Sequence, residues 1–579
     1  MNYRKGLLAL TALGLAAAMV APTGAYATAK KTTKKPAAKP TTKPTAAPAA
    51  AATTAPPSAA PAAKTGGKLI FGMEAETNNW IPGPGSWAVS GQQVSFAVYE
   101  RLLALNAKSQ IVPWLADSVT KDTSGLVWTI KIKKGIKFHN GEDFDANAVK
   151  ANLDEAICGS VLLPVFFRIN GAGALCSKEP LPKLLRGVTV VDPQTVQVTT
   201  LQKFPGFQAA MSGQAGVMIA PAQIKANDLN TMIGTGPFKF KSWKRDVALN
   251  VVRNDDYWRK DSIPKLDEIE FRPIPNEDAR IAAIAKGDID ITHSANFNSK
   301  REYEKLAKDG KAQVTSNDFM SETNQDVLNN SIPPFNTLPC RLAAAYAVDV
   351  PTLQKLQAPG STQANGPFPK GSPGYLDNTG YPQFNPDKAK AEYAKCKAAL
   401  GGNDVEFTMA TTNDPAAIEI RDIMANMVSQ AGFKVKSANI EQSKYITTVL
   451  LGGTQWATWR YYGGIVDLDT YRFQMHSETA APNGSVSLNW QRVKDGVVDE
   501  AFNILRDNTD PVVRKQAAEN INRQYGENAF ILWRWRTTWN VATAKGVNAD
   551  FANFKLPNGD PAPLIPFGYV VDLTTITKG

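Results

Sequence analysis

Histidine is nearly missing from this chain: His139, His293 and His476 are the only three in 579 residues. They fall in different predicted segments, so no histidine pair or triad is available for acid–base or metal chemistry. The chain has no Gly-x-Ser-x-Gly, no His-Glu-x-x-His and no phosphate-cradling glycine loop. Cysteine is scarce as well, four residues with none before Cys158 and none spaced Cys-x-x-Cys. That spacing excludes a zinc knuckle and a redox dithiol, and no cysteine near the start can carry a lipid anchor. Acidic residues are absent from residues 1–67, which hold nine of the eleven excess positive charges. The basic character therefore belongs to the N-terminal stretch, and no nucleic-acid partner is expected of the rest. Outside one apolar run of 15 residues, Leu7–Ala21, nothing approaches the length of about 20 needed to span a bilayer.

What is present begins with an export signal. Arg4 and Lys5 precede that run, and Ala25-Tyr26-Ala27 offers small residues for cleavage, so residues 1–27 read as a signal peptide. Residues 28–67 are Lys, Thr, Pro and Ala with little to bury, which predicts a disordered linker. It is either a spacer or a basic tether that touches anionic polymers of the cell envelope. The remaining 510 or so residues are too many for one core and predict two or more lobes.

Strands and helices alternate along this remainder. Asn276, Asn385-Pro386, Asp414-Pro415 and Asp510-Pro511 each open a helix, and Gly287, Gly401-Gly402 and Gly432 follow three of the helix ends. The class is α/β with mixed sheets. Gly234-Thr235-Gly236-Pro237-Phe238 reads as a turn entering a strand. A second strand ends in Asn254-Asp255-Asp256-Tyr257-Trp258, followed by Pro264-Lys265-Leu266-Asp267. Upstream lie Tyr99-Glu100-Arg101-Leu102, Pro113-Trp114-Leu115-Ala116 and Gly135-Ile136-Lys137-Phe138-His139-Asn140-Gly141; downstream lie Arg280 to Asp290 and Arg341 to Asp349.

As an ordered series over roughly residues 68–545, these segments resemble the extracellular solute-binding proteins of family 5, the oligopeptide and dipeptide binders of ABC importers. The resemblance implies a two-lobed periplasmic-binding-protein-like fold. A discontinuous first lobe (68–108, 232–320 and 537–579) would carry an inserted subdomain (109–231), with a second lobe at 321–536 and a hinge near 320 and 536. It implies an exported, monomeric, non-catalytic receptor without cofactor, which captures a solute between the lobes and hands it to a membrane permease. Keeping each disulfide within one lobe selects Cys158–Cys176 and Cys340–Cys396 from the three possible pairings.

For the ligand site, the resemblance points to Tyr445 and Tyr461 as stacking aromatics, to Trp533 or Trp535 in a later lining segment, and to Asn78, Asn79 and Trp80 after the first strand. Trp459-Arg460-Tyr461-Tyr462-Gly463-Gly464 is wide, polar-tipped and glycine-broken, which suits a wall facing a wet cavity. In peptide binders an Asp after this segment holds the ligand's ammonium. Gly464 stands there in this chain, and Asp467 is the candidate substitute, with Arg460 as a second polar contact. The solute is thus peptide-like or another small molecule. The alternative is a metal chelate or haem-like ligand, for which His476 is the one histidine near the segment. A secreted hydrolase is a remote further reading.

Overall fold

The computed structural model describes residues 65–159, 187–317, 322–461 and 468–579, apart from 84, 86, 109, 201, 202, 550, 552, 553 and 563–570. The signal, nearly all of the linker and Asp467 therefore lie outside the described residues. Two large sheets organise them. The first has the strand order Phe238–Lys244, Ala248–Arg253, Glu268–Pro273, Lys68–Met73, Ile291–Ser294, Trp539–Ala544, Ala312–Asn317. Its centre, Lys68–Met73, runs parallel to both neighbours, while the flanking pairs are antiparallel. The second has the order Lys434–Ile440, Glu406–Thr412, Trp456–Tyr461, Thr323–Leu328, Ile531–Arg536. A four-stranded antiparallel sheet, Ala116–Lys121, Val127–Ile132, Thr195–Thr199 and Val188–Asp192, stands apart from both.

The chain passes between the two large sheets twice, from Ala312–Asn317 to Thr323–Leu328 and from Ile531–Arg536 to Trp539–Ala544. These are antiparallel paired strands in each sheet, so both crossings leave from one strand pair and enter another. Thr537 N donates to the Glu322 carbonyl at 2.8 Å, and Asn324 Nδ2 donates to Thr537 Oγ1 at 2.6 Å. Among the described strands the chain changes sheet at these two places, the arrangement in which a hinge absorbs domain closure.

The helix signals act locally, as the sequence suggests. Asn276, Asn385 and Asp414 each accept from the backbone N–H three residues on, at 2.8, 2.9 and 3.0 Å, and Asp510 accepts from Val512 N at 2.7 Å. Gly287 closes its helix at φ +79°, in the left-handed region that favours glycine. Cys340 and Cys396 form a disulfide between the buried faces of Leu338–Ala347 and Pro386–Ala399. The expected Cys158–Cys176 pairing falls on side chains outside the described set.

The segments that carry the family resemblance converge on one buried carboxylate. Glu100 Oε1 accepts from Trp114 Nε1 at 2.8 Å and from the Tyr257 hydroxyl at 2.7 Å. Its Oε2 accepts from Thr235 Oγ1 and Trp258 Nε1, both at 2.7 Å. Burial pushes the carboxyl up and all four bonds oppose it. Beside this knot the Gly234–Gly236 turn presses against the chain at Val98. A Cβ on Gly234 would sit 2.0 Å from the Val98 carbonyl oxygen, so glycine is required there for close approach. His139 fastens the same turn: its Nε2 lies 2.9 Å from the Gly236 carbonyl, and its backbone N–H donates to the Gly234 carbonyl at 2.8 Å. Burial lowers its imidazole to about 4, so it sits there neutral. A cavity of about 20 Å³ against the knot, lined by Phe96, Glu100, Arg101, Trp114 and Leu556 among others, has room for one water and not for a solute.

Candidate ligand-binding site

The strand Trp456–Tyr461 sends alternate side chains to opposite faces. Trp459 goes to an aromatic row, with the Tyr445 ring 5.6 Å away and the Trp490 ring 5.1 Å away. Tyr445 is buried and its hydroxyl donates to the Thr458 and Ala410 carbonyls. Burial pushes that phenol well above its usual range. Tyr445 is thus held inside the second lobe, and Trp459, at 9% exposure, is the outer member of the pair. Gln325 pairs in register with Trp459. It is fully buried, and neither of its amide atoms meets a partner among the described residues, a costly state for a polar group.

The other predicted residues are more dispersed. Trp535 is buried with the Arg534 guanidinium 5.1 Å over its ring, and Trp533 is buried in the same strand. Trp80 packs in the first lobe between Trp87 and Trp243, at 6.2 and 5.4 Å, so its ring is committed to the core there. Asn79 Oδ1 accepts from Ile81 N within the same loop. Tyr461 pairs through its backbone with Thr323; its side chain and residues 462–467 lie outside the described set. His476 is buried, with Nδ1 accepting from Glu478 N at 3.1 Å and standing 3.6 Å from Asp499. Among the described residues no group of three or more His, Cys, Asp or Glu is placed to hold a metal ion.

Arg460, on the opposite face to Trp459, reaches the other sheet. Its guanidinium lies 5.1 Å from the Trp539 ring and 3.8 Å from both Glu74 and Glu322. Glu74 directly follows the central parallel strand of the first sheet, the strand end where ligands gather in α/β folds. Glu322 stands at the crossing, 1% exposed, with Oε2 accepting from Trp539 Nε1 at 3.1 Å and Oε1 without a partner among the described residues. Burial pushes Glu322 up to about 7, opposed by Arg460 and Trp539 and reinforced by Glu74.

Two more carboxylates face this seam. Glu277 is engaged by Arg280 at 2.6 Å, Ser294 Oγ at 3.1 Å and the Tyr303 hydroxyl at 3.0 Å. Asp414 caps a second-lobe helix, yet its carboxyl is influenced by Glu74 and Arg280 of the first sheet. Its surface is exposed, while desolvation raises it. Glu74, Glu322 and Asp414 were not singled out as site residues by the sequence. Only Glu74 carried a usable signal, as the acid ending the first strand; Asp414 read as a helix cap.

Two sheets joined where the chain crosses between them, with charged and aromatic side chains meeting there, define a two-lobed binding-protein fold. The chain belongs to the bacterial extracellular solute-binding proteins, family 5, whose middle-region model matches residues 110–483. It is 28% identical over 350 residues to a glutathione-binding protein GsiB of Pectobacterium atrosepticum, a match covering 60% of this chain and 64% of that protein. The chain thus spans under two thirds of the length of that relative. Among solved structures, the periplasmic binding protein AgaA of A. tumefaciens R10 in complex with agropinic acid superposes with a TM-score of 0.73 at 23% identity. That superposition covers 89% of this chain and 99% of AgaA. DppA of Helicobacter pylori in complex with the peptide STSA gives 0.72 at 19% identity, over 89% and 98%. Proteins of this family are binding proteins of the periplasm or extracellular space. Among the described residues no helix is long and apolar enough to cross a membrane.

Proposed function

We propose that this protein is the substrate-binding component of an ABC importer. It captures a small solute between lobes at 68–108, 232–320 with 537–579, and 321–536, and delivers it to a membrane permease without transforming it. The observation that carries the reading is Arg460: a second-lobe residue, 34% exposed, that lies between a first-lobe carboxylate, a carboxylate at the crossing and a first-lobe indole. A charged, solvent-touched seam spanning two lobes is costly as mere packing, and it suits a surface that closes on a polar ligand. The orphaned Gln325 amide beside Trp459 supports the same reading from the aromatic side.

In this reading residues 1–27 direct export, the basic 28–67 segment spaces or tethers the receptor at the envelope, and the mature protein works as a monomer free of lipid. Tyr461, Trp459 and Arg460 contact the ligand directly, Asp467 adds a polar contact, and Tyr445, Trp535 and Trp80 hold the walls from behind. Native mass spectrometry of protein purified without refolding, followed by calorimetry with reduced glutathione, the peptide STSA and agropinic acid, tests it. A discrete adduct lost on denaturation, or saturable binding of one of these compounds, is expected. Saturable product formation from them would sink the receptor reading. Tyr461→Ala should weaken binding about tenfold, near 1.4 kcal/mol and within the reach of one aromatic contact, with an unchanged melting temperature. An unchanged affinity places the ligand elsewhere.

A further inference from the structure

We infer that two ionic contacts across the lobes, Arg460 with Glu74 and Lys203 with Asp507, form a clasp that holds the lobes together and sets how readily they open. The inference rests on the receptor reading above and adds to it a control on the opening of that same site. The first contact lies at the seam. Arg460 belongs to the second sheet, while the Glu74 carboxylate at 3.8 Å and the Trp539 ring at 5.1 Å come from the first. At 3.8 Å the ion pair is longer than a hydrogen bond, so it attracts without fixing a geometry that opening would have to break. Glu74 also acts on Asp414 of the second lobe, whose carboxyl it helps to raise. Like charges therefore cross the seam too, and the net hold there is weak.

The second contact lies outside that seam. Lys203 follows Thr195–Thr199 of the four-stranded sheet, and Asp507 ends the second-lobe helix Gly496–Asp507. Lys203 Nζ stands 3.8 Å from Asp507 Oδ1, with the side chains 48% and 52% exposed. Asp507 keeps a counter-charge within its own helix, Arg506 Nη2 at 3.1 Å. Lys203 makes no other ion pair among the described residues, so the carboxylate it pairs with lies in the other lobe. Neither residue is buried in its own lobe, which leaves the relative placement of the lobes as what the pair acts on. A hinge at the crossings alone leaves the lobes free to rotate; contacts at two separate places restrain that rotation. Exposed ion pairs are individually weak and are screened by salt. That strength suits an equilibrium that a ligand has to be able to shift.

Energy transfer between dyes on non-canonical residues at the exposed positions Val191 and Val512 reads the open-to-closed ratio in the full mature chain after exhaustive dialysis. The proteins compared are wild type, Lys203→Gln, Asp507→Asn, Arg460→Gln, Glu74→Gln, the double variant of each pair and the quadruple variant. In about 20 mM NaCl each single substitution is expected to raise the ratio about two- to fivefold, the range an exposed pair commands. Each double variant should open no further than its singles, because both halves remove one contact. Raising NaCl to about 0.5 M should open wild type by a similar factor and leave the quadruple variant unmoved. A ratio that neither Lys203→Gln nor salt moves, or additive effects within a pair, overturns the clasp. The receptor reading would still stand, since native mass spectrometry tests it separately. If Arg460→Gln or Glu74→Gln lowers the melting temperature, the Lys203–Asp507 pair and the salt response decide the matter.

Discussion

Glu100→Gln is expected to lower the unfolding free energy by about 3–5 kcal/mol, although it changes a single side-chain atom. Each carboxylate oxygen takes one indole N–H and one hydroxyl. The hydroxyls of Tyr257 and Thr235 can rotate to accept from an amide. The indoles of Trp114 and Trp258 only donate. Whichever way the glutamine turns, its NH2 faces one indole donor to donor, so one bond is lost and one buried N–H is orphaned. The bonds that remain lose their charge assistance. Urea unfolding followed by tryptophan fluorescence checks the expectation; a loss below 1 kcal/mol would show that the knot relaxes around the amide. Because Tyr99-Glu100, Trp114, Thr235 and Tyr257-Trp258 come from separate stretches, the variant should loosen the junction of the first lobe with its inserted sheet rather than one hairpin.

That knot also shows why some of this molecule could be read in its sequence and some could not. Helix starts were legible because a cap and the backbone N–H that donates to it lie within three residues, as at Asn276, Asn385, Asp414 and Asp510. The ordered segments around residues 99, 114, 234 and 257 were recognisable as a series, but the reason for their order is tertiary: they share one carboxylate across 158 positions of chain. Gly234 reads locally as a turn glycine, whereas its binding constraint is the Val98 carbonyl. The aromatic-rich stretch drew attention to Tyr445, Trp459, Trp80 and Trp535, and abundance of rings is an ambiguous signal. In the structure Tyr445 and Trp459 come together, while Trp80 and Trp535 pack within their own lobes. Glu74, Glu322 and Asp414 look ordinary one at a time. What makes them a group is the crossing between the sheets, and no local pattern reports on which carboxylates a crossing brings face to face.

The seam carries a second large effect, visible as a pH dependence. The folded protein holds Glu322 at about 7 against an ordinary value of 4.5, chiefly through burial, with Arg460 and Trp539 opposing and Glu74 adding to the rise. An acid raised in the folded state binds its proton more tightly there than in the unfolded chain, so its contribution to stability falls as pH rises from 4.5 through 7. Below 4.5 the carboxyl is neutral in both states and resembles a glutamine. Above 7 it is charged in both, and only the folded state bears the desolvation. Wild type should therefore lose about 3 kcal/mol relative to Glu322→Gln between pH 4.5 and pH 8. Comparing the two proteins at each pH removes the contributions of the other shifted groups, including His139, Glu277 and Asp414. A gap that does not change with pH would mean that Arg460 already neutralises Glu322 in full. A gap that opens with pH would tie the loss of stability to the desolvation of the Glu322 carboxylate at the crossing between the sheets.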